Sequence, residues 1–196
     1  MDSYKTITRI SQGLYKEKGS KFISFAYPVE SQAEIAEILT ELKKEYYDAR
    51  HHCYAWKLGH DGSATRVVDD GEPSSTAGRP ILGQISSAEI TNVLVVVVRY
   101  FGGTKLGVSG LIKAYKEAAL DAITNGEIVE RAIEVEVNVT FGYEQIGTIM
   151  KVIKDIQPKI VEQNFDNLST MKLLIDKSKY ELLVAKLKDI IGIIYE

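Results

Sequence analysis

The chain has 196 residues, of which 45% are hydrophobic and 26% charged, and its formal net charge at pH 7 is -3. This composition is typical of a folded globular protein and excludes an intrinsically disordered or fibrous chain. The negative net charge disfavours a protein whose whole surface binds nucleic acid, because such domains are usually strongly basic. Any nucleic-acid site is therefore expected to be local.

The single cysteine and the short apolar runs bear on cellular location. Cys53 cannot form an intrachain disulfide, which suits a reducing compartment. The longest apolar run, Val93 to Val98, is far shorter than the ~20 residues that span a bilayer. Met1 to Ile10 lack the continuous apolar segment of a secretory signal. We therefore expect a cytoplasmic protein that does not contact the membrane.

The first predicted domain, residues 1-133, mixes strands and helices. Alternating apolar residues predict strands over Tyr4 to Ile10 and Lys21 to Val29, and Ser31 with Glu34 forms a capping box before a helix. The next predicted elements are a hairpin of His51 to Leu58 with Ala64 to Asp69, and a short helix over Thr76 to Ser86. A central strand of the parallel type over Val93 to Val98 follows, and then a long helix from about Val108.

The second predicted domain, residues 134-196, has the element order βαββαβ. A strand over Glu134 to Thr140 precedes a helix, and a hairpin then turns at Asp166-Asn167. A second helix, capped by Ser178 with Glu181, leads to a short strand over Ile191 to Tyr195. This order is the split βαβ motif, so we expect a ferredoxin-like fold and an α+β protein overall.

An acidic loop after the hairpin is the first candidate site. Its carboxylates, hydroxyls and arginine are chemically suited to a magnesium ion or a phosphate. The other interpretation is a polar surface loop whose side chains satisfy nearby backbone amides. The residues concerned are Asp69, Asp70 and Glu72, followed by Ser74, Ser75, Thr76 and Arg79.

A glycine-rich segment between the central strand and the following helix is the second candidate. Glycine allows backbone N–H groups to approach an anion, and a helix N-terminus favours negative charge. Arg99 and Lys105 would add positive charge, and Tyr100 and Phe101 are either stacking surfaces for bases or core residues. The glycines are equally suited to a tight turn without ligand. The expected anion site comprises Arg50, Arg79, Arg99, Gly102, Gly103, Lys105, Gly107 and Ser109.

The histidines do not form a metal site by local spacing. Adjacent strand residues point to opposite faces, so His51 and His52 cannot both join His60, and Cys53 faces away from His52. We therefore predict no zinc site.

Several short motifs occur here in the order typical of the IMPACT/YigZ family, and the chain resembles a bacterial two-domain, YigZ-like member. The resemblance covers about residues 15 to 125. The motifs are Lys18 to Ile23, Ala49 to Trp56, Asp69 to Ser74, Thr76 to Gly78, Val98 to Gly103, and Leu106-Gly107.

This resemblance implies a fold and a function. The first domain should resemble the second domain of a small-subunit ribosomal protein, and the second domain the last domain of elongation factor G. Both analogies point to RNA or a ribosomal component as partner. Eukaryotic IMPACT proteins restrain a kinase that phosphorylates an initiation factor, and they carry an extra interaction domain. We expect no such domain here, and the kinase role is not carried over.

Two functions follow from these residues. The first is a non-catalytic RNA- or ribosome-associated protein, a translation regulator related to IMPACT, that binds through the arginines, Lys105 and the glycine-rich segment. The alternative is an enzyme acting on a phosphorylated or nucleotide substrate, with magnesium on the acidic loop and phosphate on the glycine-rich segment. We favour the first, which needs no cofactor and no catalytic residue.

Overall fold

The structure, a computed structural model, describes residues 2–166, 168–190 and 192–195. The chain divides into two compact units. The first unit is Tyr4–Arg131, and the second is Ala132–Glu196 together with the residues ahead of Tyr4. The predicted α+β class is confirmed, since helices and several sheets alternate along the chain. Independent folding of residues 1-133 and 134-196 stays a prediction.

The first unit is built on one large sheet. Strands β2, β3, β6, β4 and β5 lie in that order, while β1 and β7 form a separate pair. The elements are β1 Ser3–Ile7, β2 Ser11–Glu17, β3 Ser20–Pro28, α1 Gln32–Glu45, β4 His51–Leu58, β5 Ala64–Val68, α2 Gly78–Ser87, β6 Val93–Tyr100, α3 Gly107–Thr124 and β7 Ile128–Ala132.

The central strand β6 has antiparallel neighbours on both sides. It pairs with β3 through Phe22 opposite Arg99, and with β4 through His51 opposite the same arginine. The prediction of a parallel-type strand was therefore wrong. A strand that is apolar on both faces suits any sheet whose two faces are covered, and helices cover both faces here.

Alternate residues of β6 enter two separate cores. Val95 and Val97 pack in the core that contains residues of α2 and α3, including Tyr115. Leu94, Val96 and Val98 pack with Trp56 in the core beneath α1. The residues of α3 predicted to face inward are all buried: Leu111, Tyr115, Ala118, Ala119 and Ala122.

The second unit has a four-stranded sheet in the order β11, β8, β10, β9, with every pairing antiparallel. This is the predicted ferredoxin-like βαββαβ arrangement. Its elements are β8 Glu134–Gly142, a 3₁₀ turn Tyr143–Gln145, α4 Ile146–Ile156, β9 Lys159–Asn164, β10 Leu168–Asp176, α5 Lys177–Lys188 and β11 Ile194–Tyr195.

Some details of the second unit differ from the prediction. Helix α5 begins at Lys177, and the N-cap position is held by Asp176, so Ser178 is not the cap. Asn167 in the predicted hairpin turn and Ile191 in the predicted last strand lie outside the described residues. Across the described residues, no helix is long and apolar enough to cross a membrane.

Candidate nucleic-acid interface

Four connections meet at one end of the five-stranded sheet, which we call the loop end. They are residues 18–19, 49–50, 69–77 and 101–106. The strand register aligns them, because Glu17 pairs with Ser20, Lys21 with Tyr100, and His51 with Arg99. All the site residues predicted from sequence lie in or beside these connections.

Asp69 holds the acidic loop against the start of α2. Its Oδ1 accepts hydrogen bonds from the backbone N–H groups of Ala77 at 3.0 Å and Gly78 at 2.8 Å. Its Oδ2 accepts the N–H of Ser75 at 2.8 Å. Burial acts to raise the pKa of Asp69, but these three hydrogen bonds outweigh burial and keep the pKa below its usual value.

Asp70 serves the neighbouring strand instead. Its Oδ2 accepts the backbone N–H of His52 at 2.7 Å, and its carbonyl lies 2.9 Å from Nδ1 of His51. The loop adopts left-handed backbone at Asp70, with φ 42°, and at Ser75, with φ 64°. Left-handed backbone costs conformational free energy for residues other than glycine. The hydrogen bonds made by the carboxylates of Asp69 and Asp70 offset this cost in the loop.

Glu72 lies at the centre of a buried polar cluster. Its Oε1 accepts hydrogen bonds from Nη1 of Arg99 at 2.5 Å and from the hydroxyl of Tyr115 at 2.8 Å. Cys53 in turn donates its thiol hydrogen to the carbonyl of Asp69 at 2.9 Å and lies 3.3 Å from the Tyr115 hydroxyl. The cluster therefore ties β4, β6 and α3 to the acidic loop.

The three carboxylates thus point to three different sets of partners. Asp69 binds amides, Asp70 binds strand β4, and Glu72 binds Arg99 and Tyr115. Within the part of the chain that the structure describes, no group of three His, Cys, Asp or Glu side chains is placed to hold a metal ion. Asp69, Asp70 and Glu72 therefore do not converge on one point in this structure, and magnesium binding by the acidic loop stays an untested alternative.

Arg99 also differs from its expected role. Its side chain is only 7% exposed, and its guanidinium is paired with Glu72. The expectation of a mobile positive charge for ligand phosphate does not hold, because the guanidinium is enclosed beneath the surface. Arg50 and Arg79, by contrast, are exposed.

The glycine-rich segment is exposed and held close to the β2–β3 turn. A Cβ atom on Gly102 would lie 1.9 Å from the carbonyl carbon of Gly19, so the two backbones are in direct contact. The N–H of Gly102 donates to Oγ of Ser20 at 3.1 Å. Gly103 and Gly107 have positive φ angles of 86° and 71°, which favour glycine.

Helix α3 begins in this segment without an acidic or polar cap. Leu106 holds the N-cap position and has no side-chain acceptor, and the first turn contains no acidic residue. Lys105, Gly107 and Ser109 are all exposed. The first amides of a helix carry partial positive charge, so this end is electrostatically suited to an anion.

Sequence reasoning missed several residues of the loop end. Lys18 and Lys21 are exposed beside the glycine-rich segment, and Tyr115 anchors the buried cluster. Both lysines lie in the segment Lys18 to Ile23, which the sequence analysis had already singled out. Tyr115 was predicted to be a core residue, and no sequence pattern indicates that its hydroxyl takes part in a polar cluster.

Comparison with known proteins identifies the family. A family model described as the Impact N-terminal domain matches residues 18–123, more than half of the chain. The chain belongs to the IMPACT family. The IMPACT family member YigZ of Escherichia coli (strain K12) is 30% identical over 174 residues, which cover 88% of this chain and 85% of YigZ.

Other relatives of this IMPACT-family chain match to different extents. The Protein IMPACT homolog of Saccharomyces cerevisiae is 36% identical over 94 residues, covering 46% of this chain and 36% of the yeast protein. A solved structure, described as that of a hypothetical protein, is 27% identical with a TM-score of 0.79. The match covers 100% of this chain and 97% of that one. The region matched by the family model contains all four connections of the loop end.

Proposed function

We propose that this protein is a non-catalytic, RNA- or ribosome-associated member of the IMPACT family that takes part in translation regulation. The proposed contact is between the loop end of the first unit and the phosphates of RNA. Family membership supports the link to translation, as the resemblance to IMPACT proteins implied. The charge distribution at the loop end supports RNA as the ligand.

One contrast between two helices carries this proposal. The amides at the start of α2 are already bound by the carboxylate of Asp69. Helix α3 starts at the same end of the sheet, but Leu106 provides no acceptor and the surrounding residues are exposed. One helix terminus therefore has an internal anion, whereas the other is available to an external one.

Exposed cations around α3 favour a polyanion over a single phosphate group. Lys105 lies in the loop itself, while Lys18 and Lys21 lie on the neighbouring β2–β3 hairpin. Arg50 precedes β4 and Arg79 lies in the first turn of α2. Several exposed cations at one end of a sheet suit a nucleic-acid backbone, because each lysine or arginine that contacts a phosphate releases counterions from it.

The state of the reactive side chains argues for binding and against catalysis. Glu72 and Arg99 are paired with each other in the interior and are not available to a substrate. Burial raises the pKa of the Tyr115 hydroxyl. Burial likewise raises the pKa of the Cys53 thiol, which weakens it as a nucleophile. These groups stabilise the fold of the loop end and are poorly suited to proton transfer near pH 7.

The proposal is tested by capturing the intact protein from lysate with and without nuclease, and sequencing the bound RNA. We expect the protein to retain RNA or ribosomal particles from untreated lysate and to lose them when the lysate is treated with nuclease. A parallel titration with ATP and GTP in the presence and absence of magnesium tests the enzymatic alternative. Magnesium-dependent nucleotide binding without any RNA or ribosome association would contradict the proposal.

A further inference from the structure

Phe101 is a large aromatic side chain exposed next to a buried charge. Its exposed fraction is 57%, whereas Arg99 two residues earlier is buried. The guanidinium carbon of Arg99 lies 5.7 Å from the centre of the Phe101 ring and 5.4 Å from that of Phe22. The guanidinium therefore contacts one exposed ring and one buried ring.

The side chains beneath Phe101 are held by their own contacts. Arg99 is held by Glu72, and Glu72 also accepts a hydrogen bond from Tyr115. Phe22 packs edge-on against Tyr115, with ring centres 5.2 Å apart. The exposed ring thus has a buried, hydrogen-bonded side chain on one side. Support of this kind reduces the side-chain entropy that is lost when a ligand covers the ring.

The backbone on the other side of Phe101 is fixed as well. Gly102 is in backbone contact with Gly19, and Ser20 accepts its N–H group. Tyr100 is half-buried and donates its hydroxyl hydrogen to Asp48 at 2.7 Å, so Tyr100 is not a free stacking surface. Of the two aromatic residues in this segment, Phe101 is the one that is open to a ligand.

We propose that Phe101 is a stacking platform for an unpaired base, so that the RNA bound at the loop end is single-stranded. This inference rests on the proposed function and specifies its substrate class. Every base presents a π-face to an aromatic ring, whereas bases in a duplex already stack on one another. Lys105 on the same loop and Lys21 opposite Tyr100 are suited to the adjacent phosphates.

The test uses the intact protein and a fluorescein-labelled RNA of about 12 nucleotides, a length within the usual range of single-strand sites. Binding is measured by anisotropy with the single strand and with the same sequence as a duplex. Loss of one stacked base lowers affinity roughly 5- to 150-fold. Phe101→Ala should show this loss with the single strand and no change with the duplex.

Further variants separate stacking from simple apolar contact and from misfolding. Phe101→Leu keeps an apolar side chain without a π-face and should lose affinity, whereas Phe101→Tyr should retain it. Tyr143→Ala removes another highly exposed aromatic ring, 82% exposed in the second unit, and should bind as wild type. A 2-aminopurine base in the RNA should lose fluorescence on binding to wild type and not to Phe101→Leu.

The outcomes distinguish this inference from the proposed function. Absence of RNA binding by the wild type, both to this RNA and in the capture from lysate, would overturn both. Salt-dependent RNA binding that is equal in wild type, Phe101→Ala and Phe101→Leu would overturn stacking alone and leave Phe101 as a contact for a protein partner. Equal affinity for duplex and single strand would also overturn the inference.

Discussion

Nη1 of Arg99 lies 2.5 Å from Oε1 of Glu72, and both side chains are almost completely buried. The two residues come from separate segments of the first unit, the acidic loop and the end of β6. Their contact explains why a loop that looks like a ligand site from its sequence is a structural unit. Of the charges that suggested ligand binding, these two neutralise each other inside the first unit.

Breaking this ion pair should destabilise the protein strongly. Glu72→Ala or Arg99→Ala leaves a buried charge unpaired, which typically costs about 3–5 kcal/mol of unfolding free energy. The double variant Glu72→Ala/Arg99→Ala should lose less than the sum of the two. Urea denaturation of all four proteins measures the coupling, and strictly additive losses would contradict the ion pair.

The loop capped by Asp69 should depend on its carboxylate. Asp69→Ala removes three hydrogen bonds to backbone amides. A hydrogen bond to a charged group typically contributes about 1.5–3 kcal/mol, so we expect the free energy of unfolding to fall by at least ~2 kcal/mol. The matched control is Asp61→Ala, which removes the acceptor for the Ser63 amide in an exposed turn. Equal effects of the two substitutions on urea denaturation would count against the capping role.

Acid should weaken the folded state through Asp69. The pKa of Asp69 is lower in the folded protein than in the unfolded chain, so its stabilising contribution is present above the unfolded pKa of about 3.9. It is lost as pH falls through the lower folded pKa. Denaturation between pH 5 and 2 should therefore show a smaller acid loss in Asp69→Asn than in wild type. An unchanged pH dependence would refute this assignment.

Two glycines should respond oppositely to alanine. Gly102→Ala places a Cβ atom 1.9 Å from the backbone of Gly19, so the β2–β3 turn or the loop must move and stability should fall. Gly83→Ala lies within α2 with open space around it, and alanine in a helix interior is favoured by about 0.5–1 kcal/mol. Thermal melts compare the two, and a destabilised Gly83→Ala would contradict the described packing of α2.

Cys53 should be chemically inert in the folded protein. Its side chain is fully buried, and burial raises the pKa of the thiol, so the reactive thiolate is scarce. Iodoacetamide should modify Cys53 only after the protein is unfolded in urea, and Cys53→Ala should leave RNA binding intact. Rapid alkylation of the native protein would contradict the burial of Cys53.

Much of the first unit was predictable from local pattern. Ser31 accepts the N–H of Glu34, as the predicted helix start required, and the hairpin of β4 and β5 follows its alternating residues. Strand β2 was missed because its buried positions hold Ser11 and Gly13 instead of large apolar residues. These small residues are needed where α3 crosses closely, since a Cβ on Gly13 would lie 2.5 Å from the backbone of Ala122.

The candidate site was predictable in position but not in the roles of its charges. The glycines and Lys105 are exposed where the strand-to-helix pattern implied. The pairing of Glu72 with Arg99 has no local signature, because it depends on how the acidic loop folds over the end of β6. Tertiary contacts of this kind decide which of several similar charges reach solvent.

The salt dependence of RNA binding tests the central claim most directly. Log affinity should fall linearly with log salt concentration, and Lys105→Ala should reduce the slope by about 0.7 for the lost contact with a single-stranded phosphate. Lys44→Ala, which removes an exposed lysine from the last turn of α1, should leave the slope unchanged. Identical slopes for wild type and Lys105→Ala would contradict a phosphate site at the start of α3.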